Sequence, residues 1–211
     1  MEIDLVPVST DRDGGMSCGS LTFAGYLPDV KAPLSDYRVV RTSLQSSVEE
    51  RKGIIAIMDI RGLRRRDIDE TLLKNLRIRG SDIWFMTCIS DADDLLDAFN
   101  TDADRILMPM HLVDDGHELD TIMAMSDSVI PVIFSVDRFT DSYMGRMDVQ
   151  RMVGKLERKG FSTMVVLDTD GRLNINDWKD LAYYDVIPCT RSVTAEDLQS
   201  LGYERILRYP L

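Results

Sequence analysis

The chain has 211 residues, of which 44% are hydrophobic, so it can build the core of one domain and is not expected to be disordered. Its net charge of −11 disfavours a nucleic-acid partner, because proteins bind phosphate backbones through lysine and arginine. The chain opens without the basic segment of a signal peptide and has no apolar run as long as a membrane span, so we expect no membrane partner. Its three cysteines form no Cys-x-x-Cys pair, which argues against disulfides and a zinc site and predicts a cytoplasmic location.

Short apolar runs alternate with amphipathic segments along the whole chain. The runs are nearly continuous in apolarity, which is typical of strands that are covered on both faces. They predict eight strands, at residues 3–8, 54–58, 83–86, 105–109, 129–134, 163–167, 185–188 and 205–209.

The segments between these runs carry recognisable helix ends. Asp67 is expected to open a helix that Gly80 closes. Asp148 and Gly160 bound a second helix in the same way, and Thr194 opens the last one. Regular alternation of strands and helices implies parallel strands joined by right-handed crossovers, in an open sheet or in a closed barrel.

Internal repetition favours the barrel. Three pairs of similar segments occur in the same order along the chain, and the members of each pair lie about a hundred residues or slightly more apart, as expected for a duplicated unit. They pair residues 6–8 with 130–132, residues 56–59 with 165–168, and the stretch from Cys88 to Pro109 with the stretch from Cys189 to Pro210. We therefore predict one α/β domain, a TIM (β/α)8 barrel built from two (βα)4 half-barrels, at residues 1–126 and 127–211.

The chain also resembles the HisA/HisF family of phosphosugar-handling barrels over most of its length, and it is most similar to an uncharacterised HisA-related branch found in archaea. The resemblance is carried, in order, by residues 6–8 with Gly14 and Gly15, and by residues 37–44, 55–59, 134–137 and 165–168. It implies a duplicated half-barrel and a reaction that needs no metal or other cofactor.

The sequence stops directly after the eighth predicted strand, so we expect no eighth helix to cover that strand. Either another segment packs on the open seam or a second chain does. The second possibility predicts a homo-oligomer that buries the seam.

Asp11 and Asp137 are the first candidates for catalysis, because TIM-barrel active sites lie at the carboxyl ends of the strands. The resemblance implies that aspartates after strands one and five act as acid and base in the isomerisation of aminoaldose phosphates. The first of these loops is one residue longer than the family pattern, so Thr10 is an alternative occupant of the first position. A salt-bridged strand terminus is the structural alternative for both aspartates.

Asp59 and Asp168 end strands two and six at equivalent positions. Their carboxylates could contact a substrate, or could join the other two aspartates around a divalent cation. Carboxylates at this position also cap the helices that follow. The cation alternative corresponds to a metal-dependent aldolase or lyase.

The glycine turns with which related barrels cradle two phosphates are missing. No glycine follows strands three, four, seven and eight, and prolines at two of these places remove amide donors. The bisphosphate substrate of the histidine pathway is therefore disfavoured. Arg191 and Arg208 could still bind one anionic group, and so could Arg61. Arg61 opens a basic run at residues 61–66, for which a solvated loop is the structural alternative.

Two further features remain open in the sequence. Residues 12–34 are too long for a simple connection and predict a lid, either as a loop or as a small hairpin over the barrel mouth. Cys88 and Cys189 are either nucleophiles, with His111 as a base, or buried packing residues.

These observations lead to three functional hypotheses. The first is an acid–base enzyme of the isomerase type, which acts on a small anionic or monophosphorylated metabolite through Asp11 and Asp137. The second is a barrel that has lost catalysis and serves as a binding or assembly protein. The third is the metal-dependent aldolase or lyase.

Overall fold

The computed structural model describes residues 1–11, 15–34, 53–76 and 80–210. Gly14 and residues 37–44, which contribute to the family resemblance, lie outside these ranges. Within the described part the strands are β1 (Glu2–Thr10), β2 (Met16–Ala24), β3 (Leu27–Leu34), β4 (Ile54–Asp59), β5 (Asp82–Met86), β6 (Arg105–Pro109), β7 (Val129–Ser135), β8 (Phe139–Thr140), β9 (Met147–Asp148), β10 (Met164–Asp168), β11 (Val186–Cys189) and β12 (Ile206–Arg208). The helices are α1 (Ile60–Arg65), α2 (Leu72–Leu76), α3 (Ala92–Phe99), α4 (Gly116–Met125), α5 (Val149–Lys159), α6 (Ile175–Leu181) and α7 (Ala195–Ser200).

The fold is a mixed α/β structure around one curled sheet. Eight parallel strands follow the sheet order β11-β10-β7-β6-β5-β4-β1-β12, and all eight predicted strands correspond to them. The segment predicted as a lid forms the antiparallel hairpin β2–β3 within residues 15–34. A further pair of two-residue strands, β8 and β9, stands apart from the sheet.

Strand β1 joins three other strands. One edge pairs with β4, and the other edge pairs with β12 near Ile3 and with β2 near Ser9. The hairpin therefore pairs with the same edge of β1, beyond the point where β12 ends. The amide of Leu21 in the hairpin also donates to the carbonyl of Pro210 at 3.1 Å. Strands β11 and β12 contact each other, although within the described residues no backbone ladder joins them.

Successive side chains of a strand point to opposite sides, and most of the parallel strands are buried on both faces. One face packs against the helices. The opposite face, which we call the inner face, forms a second apolar cluster to which all eight parallel strands contribute. Members of this inner cluster include Ile3, Leu5, Ala56, Met58, Trp84, Met86, Leu107, Ile130, Val132, Phe134, Val165, Leu167, Ile187, Cys189, Leu207 and Tyr209. Strands β1 and β12 are fully buried only on the inner face.

The first helix differs from the sequence prediction. Helix α1 begins directly after β4, with Asp59 as its N-cap, whereas Asp67 follows the helix and does not open one. The basic run 61–66 thus lies within α1 and at its carboxyl end, where the partial negative charge of the helix terminus favours cations. The predicted caps Asp148 and Thr194 are confirmed at α5 and α7.

Gly62 allows this early helix start. A Cβ atom at Gly62 would lie 2.1 Å from Oδ2 of Asp59 and 2.8 Å from Oγ1 of Thr87. Any side chain would therefore displace the capping carboxylate. Across the described residues, none of the helices combines the length and the apolarity that a membrane span needs.

The inner cluster predicts a large cost for truncating Leu167, which is fully buried. Leu167→Ala should lower the free energy of unfolding by about 2–5 kcal/mol, because it removes buried methyl groups and leaves a cavity. Leu96→Ala on α3, where the side chain is 51% exposed, is the matched control and should cost less than about 0.5 kcal/mol. Urea denaturation of both variants measures the difference, and equal costs would contradict the packing of the inner face.

Candidate functional site: the carboxyl ends of the parallel strands

Asp59 is fully buried and is held by donors of the protein itself. Its carboxylate accepts from the amide of Gly62 at 2.8 Å and from the hydroxyl of Thr87, at the end of the neighbouring strand, at 3.1 Å. The amide of Asp69 approaches at 3.4 Å. Burial outweighs these donors and raises the pKa of Asp59 to about 6.

Asp168 repeats this arrangement in the second half of the sheet. It accepts from the hydroxyl of Thr190, beyond the end of the neighbouring strand β11, at 2.8 Å and from the amide of Arg172 at 3.1 Å. The hydroxyl of Ser192 adds a bond at 3.2 Å. Burial again raises the pKa of this carboxyl.

Both aspartates point away from the inner face, because the residues directly before them, Met58 and Leu167, belong to the inner cluster. Their bonds hold the ends of neighbouring strands and the loops that follow. The capping alternative is confirmed for Asp59, which is the N-cap of α1, but not for Asp168, because Asn174 caps α6 and Asp168 binds the loop before it. The structure does not bring these two aspartates together with Asp11 and Asp137.

Asp11 lies at the exposed turn between β1 and β2. Its carboxylate accepts from the amide of Gly15 at 2.7 Å, and its own amide donates to the carbonyl of Gly15 at 2.8 Å. Thr10 is buried beside it and donates to the carboxylate of Asp69 at 3.0 Å. Asp11 therefore closes the hairpin connection, and Thr10 links β1 to the segment after α1.

The sheet register identifies Thr10, and not Asp11, as the counterpart of Asp137. Met58 pairs with Pro7, whereas its equivalent in the second half, Leu167, pairs with Phe134. Counting three residues onward from each partner leads to Thr10 and to Asp137. The sequence alternative that placed Thr10 in the first catalytic position matches this register.

Asp137 is exposed and lies in a tight two-residue turn with Arg138. The φ angles of these residues are 52° and 70°, and the turn is closed by mutual backbone hydrogen bonds between Val136 and Phe139 at 2.8 and 3.0 Å. Such a turn requires positive φ at both central residues, which glycine and asparagine adopt more easily than arginine does. The amide of Asp137 donates to Asp170 at 2.7 Å, and Arg138 pairs with Asp177.

The three candidate arginines occupy separate places. Arg61 is half-buried in α1, and Arg191 is exposed, with its guanidinium carbon 5.8 Å from the ring centre of Tyr209. Arg208 pairs with Glu2 at 3.5 Å and with Asp4 at 3.4 Å. Arg208 lies on the outer side of β1 and β12, so it does not face the inner cluster. This is the side on which the homo-oligomer predicted from the sequence would place a second copy.

The hairpin β2–β3 folds over the carboxyl end of the inner cluster. Phe23 meets Phe134 edge to face with ring centres 5.6 Å apart, and Tyr26 stacks on His111 at 5.2 Å. His111 in turn lies 4.8 Å from the Phe134 ring. We call the group Phe23, Tyr26, His111 and Phe134 the mouth cluster.

Two polar contacts hold the hairpin down on either side. The Tyr26 hydroxyl bonds to Asp141, and burial followed by this neighbouring carboxylate raises the Tyr26 pKa to about 12. On strand β3 of the hairpin, Asp29 pairs with Arg64 of α1 at 2.9 Å. Both contacts join the hairpin to segments that follow other strands.

His111 is the unsatisfied polar group of the mouth cluster. Its Nδ1 atom is buried and has no hydrogen-bond partner among the described residues. Burial, assisted by the nearby charge of Arg66, lowers the His111 pKa to about 4, so the imidazole is neutral at pH 7. The sequence predicts His111 only as a base for the cysteines, and no spacing in the sequence connects it with Tyr26.

The cysteines behave as packing residues. Cys88 and Cys189 are buried, and burial raises the pKa of the Cys88 thiol to about 12 and that of Cys189 well above its ordinary value. A thiol that stays protonated at pH 7 is a poor nucleophile. Among the described residues, no group of three or more potential metal ligands converges.

No family model matches the chain, and no curated protein shows significant similarity to it.

The raised pKa of Asp59 predicts a pH-dependent difference between the wild type and Asp59→Asn. The folded protein holds the neutral carboxyl more favourably than the unfolded chain does, so this stabilisation is complete below about pH 4 and is lost as the pH rises through about 6. Asparagine keeps the helix cap without ionising. From pH 4 to 7, Asp59→Asn should therefore gain about 3 kcal/mol in unfolding free energy relative to the wild type.

Denaturant titrations at several pH values measure this difference. Asp91→Asn, which makes the same change at the less deeply buried N-cap of α3, is the control. A pH-independent difference at Asp59 would show that its carboxylate ionises without a burial penalty.

Proposed function

We propose that the chain is a divergent HisA-like (β/α)8 barrel that binds a small anionic metabolite at the carboxyl ends of its strands, beneath the hairpin β2–β3. The proposal treats the chain as a binding barrel, because Asp11 is engaged in a turn, Asp59 in a helix cap and Asp168 in bonds to the loops beyond β10 and β11. The observation that carries it is the mouth cluster with its unsatisfied His111 nitrogen within the described residues.

The barrel part of the proposal is supported by the strand neighbours of β1 and by the inner cluster. Strand β1 pairs with both β4 and β12, so it links the two ends of the predicted barrel order. Side chains from all eight parallel strands meet in one inner cluster, as they do in the filled interior of a small barrel.

The mouth cluster supports a ligand with a planar or apolar part and a hydrogen-bonding group. Aromatic faces of Tyr26 and Phe134 flank the imidazole, which suits a planar ligand. A buried nitrogen without a hydrogen bond costs free energy, and a ligand group bonded to Nδ1 would remove that cost. Because the imidazole is neutral, the charge of an anion would have to be met by a cation, and the candidate is Arg66, which acts on His111 electrostatically and lies 3.9 Å from Asp114.

Entry of such a ligand requires the hairpin to move. The ion pair between Asp29 and Arg64 is exposed, and exposed pairs contribute only about 0–1 kcal/mol. The Tyr26 contacts with Asp141 and His111 hold the tip of the hairpin. Its strands are held by pairing with β1 and by the packing of Phe23 on Phe134. We infer that the hairpin acts as the lid of the site.

A second candidate, an acid–base enzyme of the isomerase type, is favoured by the turn at Asp137. Two consecutive non-glycine residues with positive φ store about 1–3 kcal/mol of strain each, and such strain concentrates at functional sites. The turn leaves the Asp137 carboxyl exposed at the carboxyl end of β7. In this candidate Asp137 moves the proton, and Thr10 occupies the opposite position.

The binding proposal predicts a ligand effect that depends on Tyr26. In a thermal-shift screen of small carboxylates, phosphomonoesters and nucleotides at constant ionic strength, at least one anion should raise the melting temperature, by an amount equivalent to about 2.7 kcal/mol at a hundred times its Kd. Tyr26→Ala should diminish this rise, because it removes the stacking partner of His111. Tyr183→Ala, at an 84% exposed residue outside the mouth cluster, should leave the rise unchanged. Equal responses in both variants would contradict a site at the mouth.

The enzyme candidate predicts a separation of binding from turnover in Asp137→Asn. Asparagine tolerates positive φ at least as well as aspartate, so the turn and the binding of the identified anion should persist. Proton transfer should fall by about 100-fold or more, because a general acid–base group contributes this much. Isotope exchange from solvent into the bound metabolite, followed by NMR, measures the transfer, and an unchanged exchange rate would eliminate Asp137 as the carrier.

A further inference from the structure

Two arginines hold matching positions at the opposite end of the parallel strands. Arg105 begins β6 and Arg205 directly precedes β12, and each is the first residue of an Arg-Ile-Leu sequence. Two residues further on, Leu107 and Leu207 both belong to the inner cluster. Strand alternation therefore places both guanidinium groups on the inner side, at the amino ends of their strands.

The two arginines line the same cavity, although their strands are four places apart in the sheet order. The cavity has a volume of about 390 Å3 and is bounded by the loops that precede β7 and β10. Its polar lining also includes Ser126, Asp127, Ser162 and Thr163. Among the described lining residues, Asp127 is the only acidic one.

Both guanidinium groups retain unused donors. Arg105 donates from Nη1 to the carbonyl of Asp127 at 3.2 Å, and in the described part of the chain no carboxylate pairs with it. Arg205 uses Nη2 for both bonds to Asp185, at 2.9 and 2.8 Å. Asp185 also accepts from Thr163 at 2.6 Å, so the Arg205 head is held in place. The Nε and Nη2 atoms of Arg105, and the Nε and Nη1 atoms of Arg205, have no acceptor among the described residues.

We propose that this cavity binds a phosphate group, either as inorganic phosphate or as the phosphoryl group of a small metabolite. Planar guanidinium groups match the oxygen geometry of phosphate and bind it through paired hydrogen bonds. The Ser126 hydroxyl accepts from the amide of Ser128, which leaves its proton for a ligand oxygen, and Ser162 offers a second hydroxyl. The site is separate from the mouth cluster, because the inner cluster lies between the two ends of the strands.

Isothermal titration calorimetry of the intact chain tests the proposal with two probes, inorganic phosphate and glycerol 3-phosphate, at constant ionic strength. We expect saturable binding of at least one probe with one site per chain. Tighter binding of the free ion identifies inorganic phosphate as the ligand, and tighter binding of the ester identifies a phosphorylated metabolite. Arg105→Gln should weaken binding by about tenfold or more, because the phosphate then has one charged hydrogen-bond partner fewer.

Arg151→Gln is the matched control, since it removes the same charge from the exposed surface of α5, outside the cavity. It should leave the affinity unchanged, and a thermal melt without phosphate confirms that each variant is folded. Tyr26→Ala should also leave phosphate binding unchanged, which separates this site from the mouth. The proposal is overturned if neither probe binds saturably, if Arg105→Gln and Arg151→Gln weaken binding equally, or if Tyr26→Ala abolishes it.

Discussion

A buried carboxylate at the end of a strand is the constraint on which the carboxyl end of this sheet depends. Removing a carboxylate from water is costly unless donors surround it. Asp59 and Asp168 each obtain a threonine hydroxyl from beyond the neighbouring strand and an amide from the loop or helix that follows. These bonds fix the ends of adjacent strands relative to each other. They also engage both carboxylates in structural hydrogen bonds.

The mouth cluster lies at the same end of the parallel strands as these two aspartates. Packing of Phe23 against Phe134 is favourable because both rings leave water, and aromatic pairs gain about 0.5–1.5 kcal/mol beyond area burial. The same packing buries the His111 imidazole and leaves its Nδ1 atom unsatisfied within the described residues. The closed hairpin leaves this nitrogen without a hydrogen bond. A ligand that bonds the nitrogen can therefore offset the free energy needed to open the hairpin.

Burial on both faces made most of the parallel strands predictable, because such strands read as continuous apolar runs. The helix after β4 was not predictable from the same pattern. Its start depends on Asp59 turning back to the amide of Gly62, and the four arginines that follow Ile60 resemble a polar loop in sequence. The hairpin was predicted only as one of two alternatives, since its glycines and prolines are common to loops and turns.

The sequence similarities predict a duplication, but the register they predict differs from that of the sheet. The match of residues 6–8 with residues 130–132 pairs Pro7 with Pro131, whereas the sheet places Pro7 opposite Met58 and its counterpart Phe134 opposite Leu167. The two registers differ by three residues, which would move the side chains to opposite faces of the sheet. The match of Asp11 with Asp137 is one residue away from the sheet register, in which Thr10 corresponds to Asp137. Similar apolar residues indicate that a position is buried, but only backbone pairing shows where along the strand that position lies.

The two ends of the strands differ in how closely the two halves of the sheet match. At the carboxyl ends, Thr10 stands where the second half has Asp137, so the two halves present different groups. At the amino ends, Arg105 and Arg205 are identical and line one cavity. A tetrahedral dianion can accept hydrogen bonds from two sides at once, whereas a planar ligand between aromatic rings has two different ends. This difference is consistent with the two proposals, in which the matched end binds a phosphate group and the unmatched end binds an asymmetric metabolite. Because the apolar inner cluster separates the two ends, any coupling between them must pass through the strands themselves.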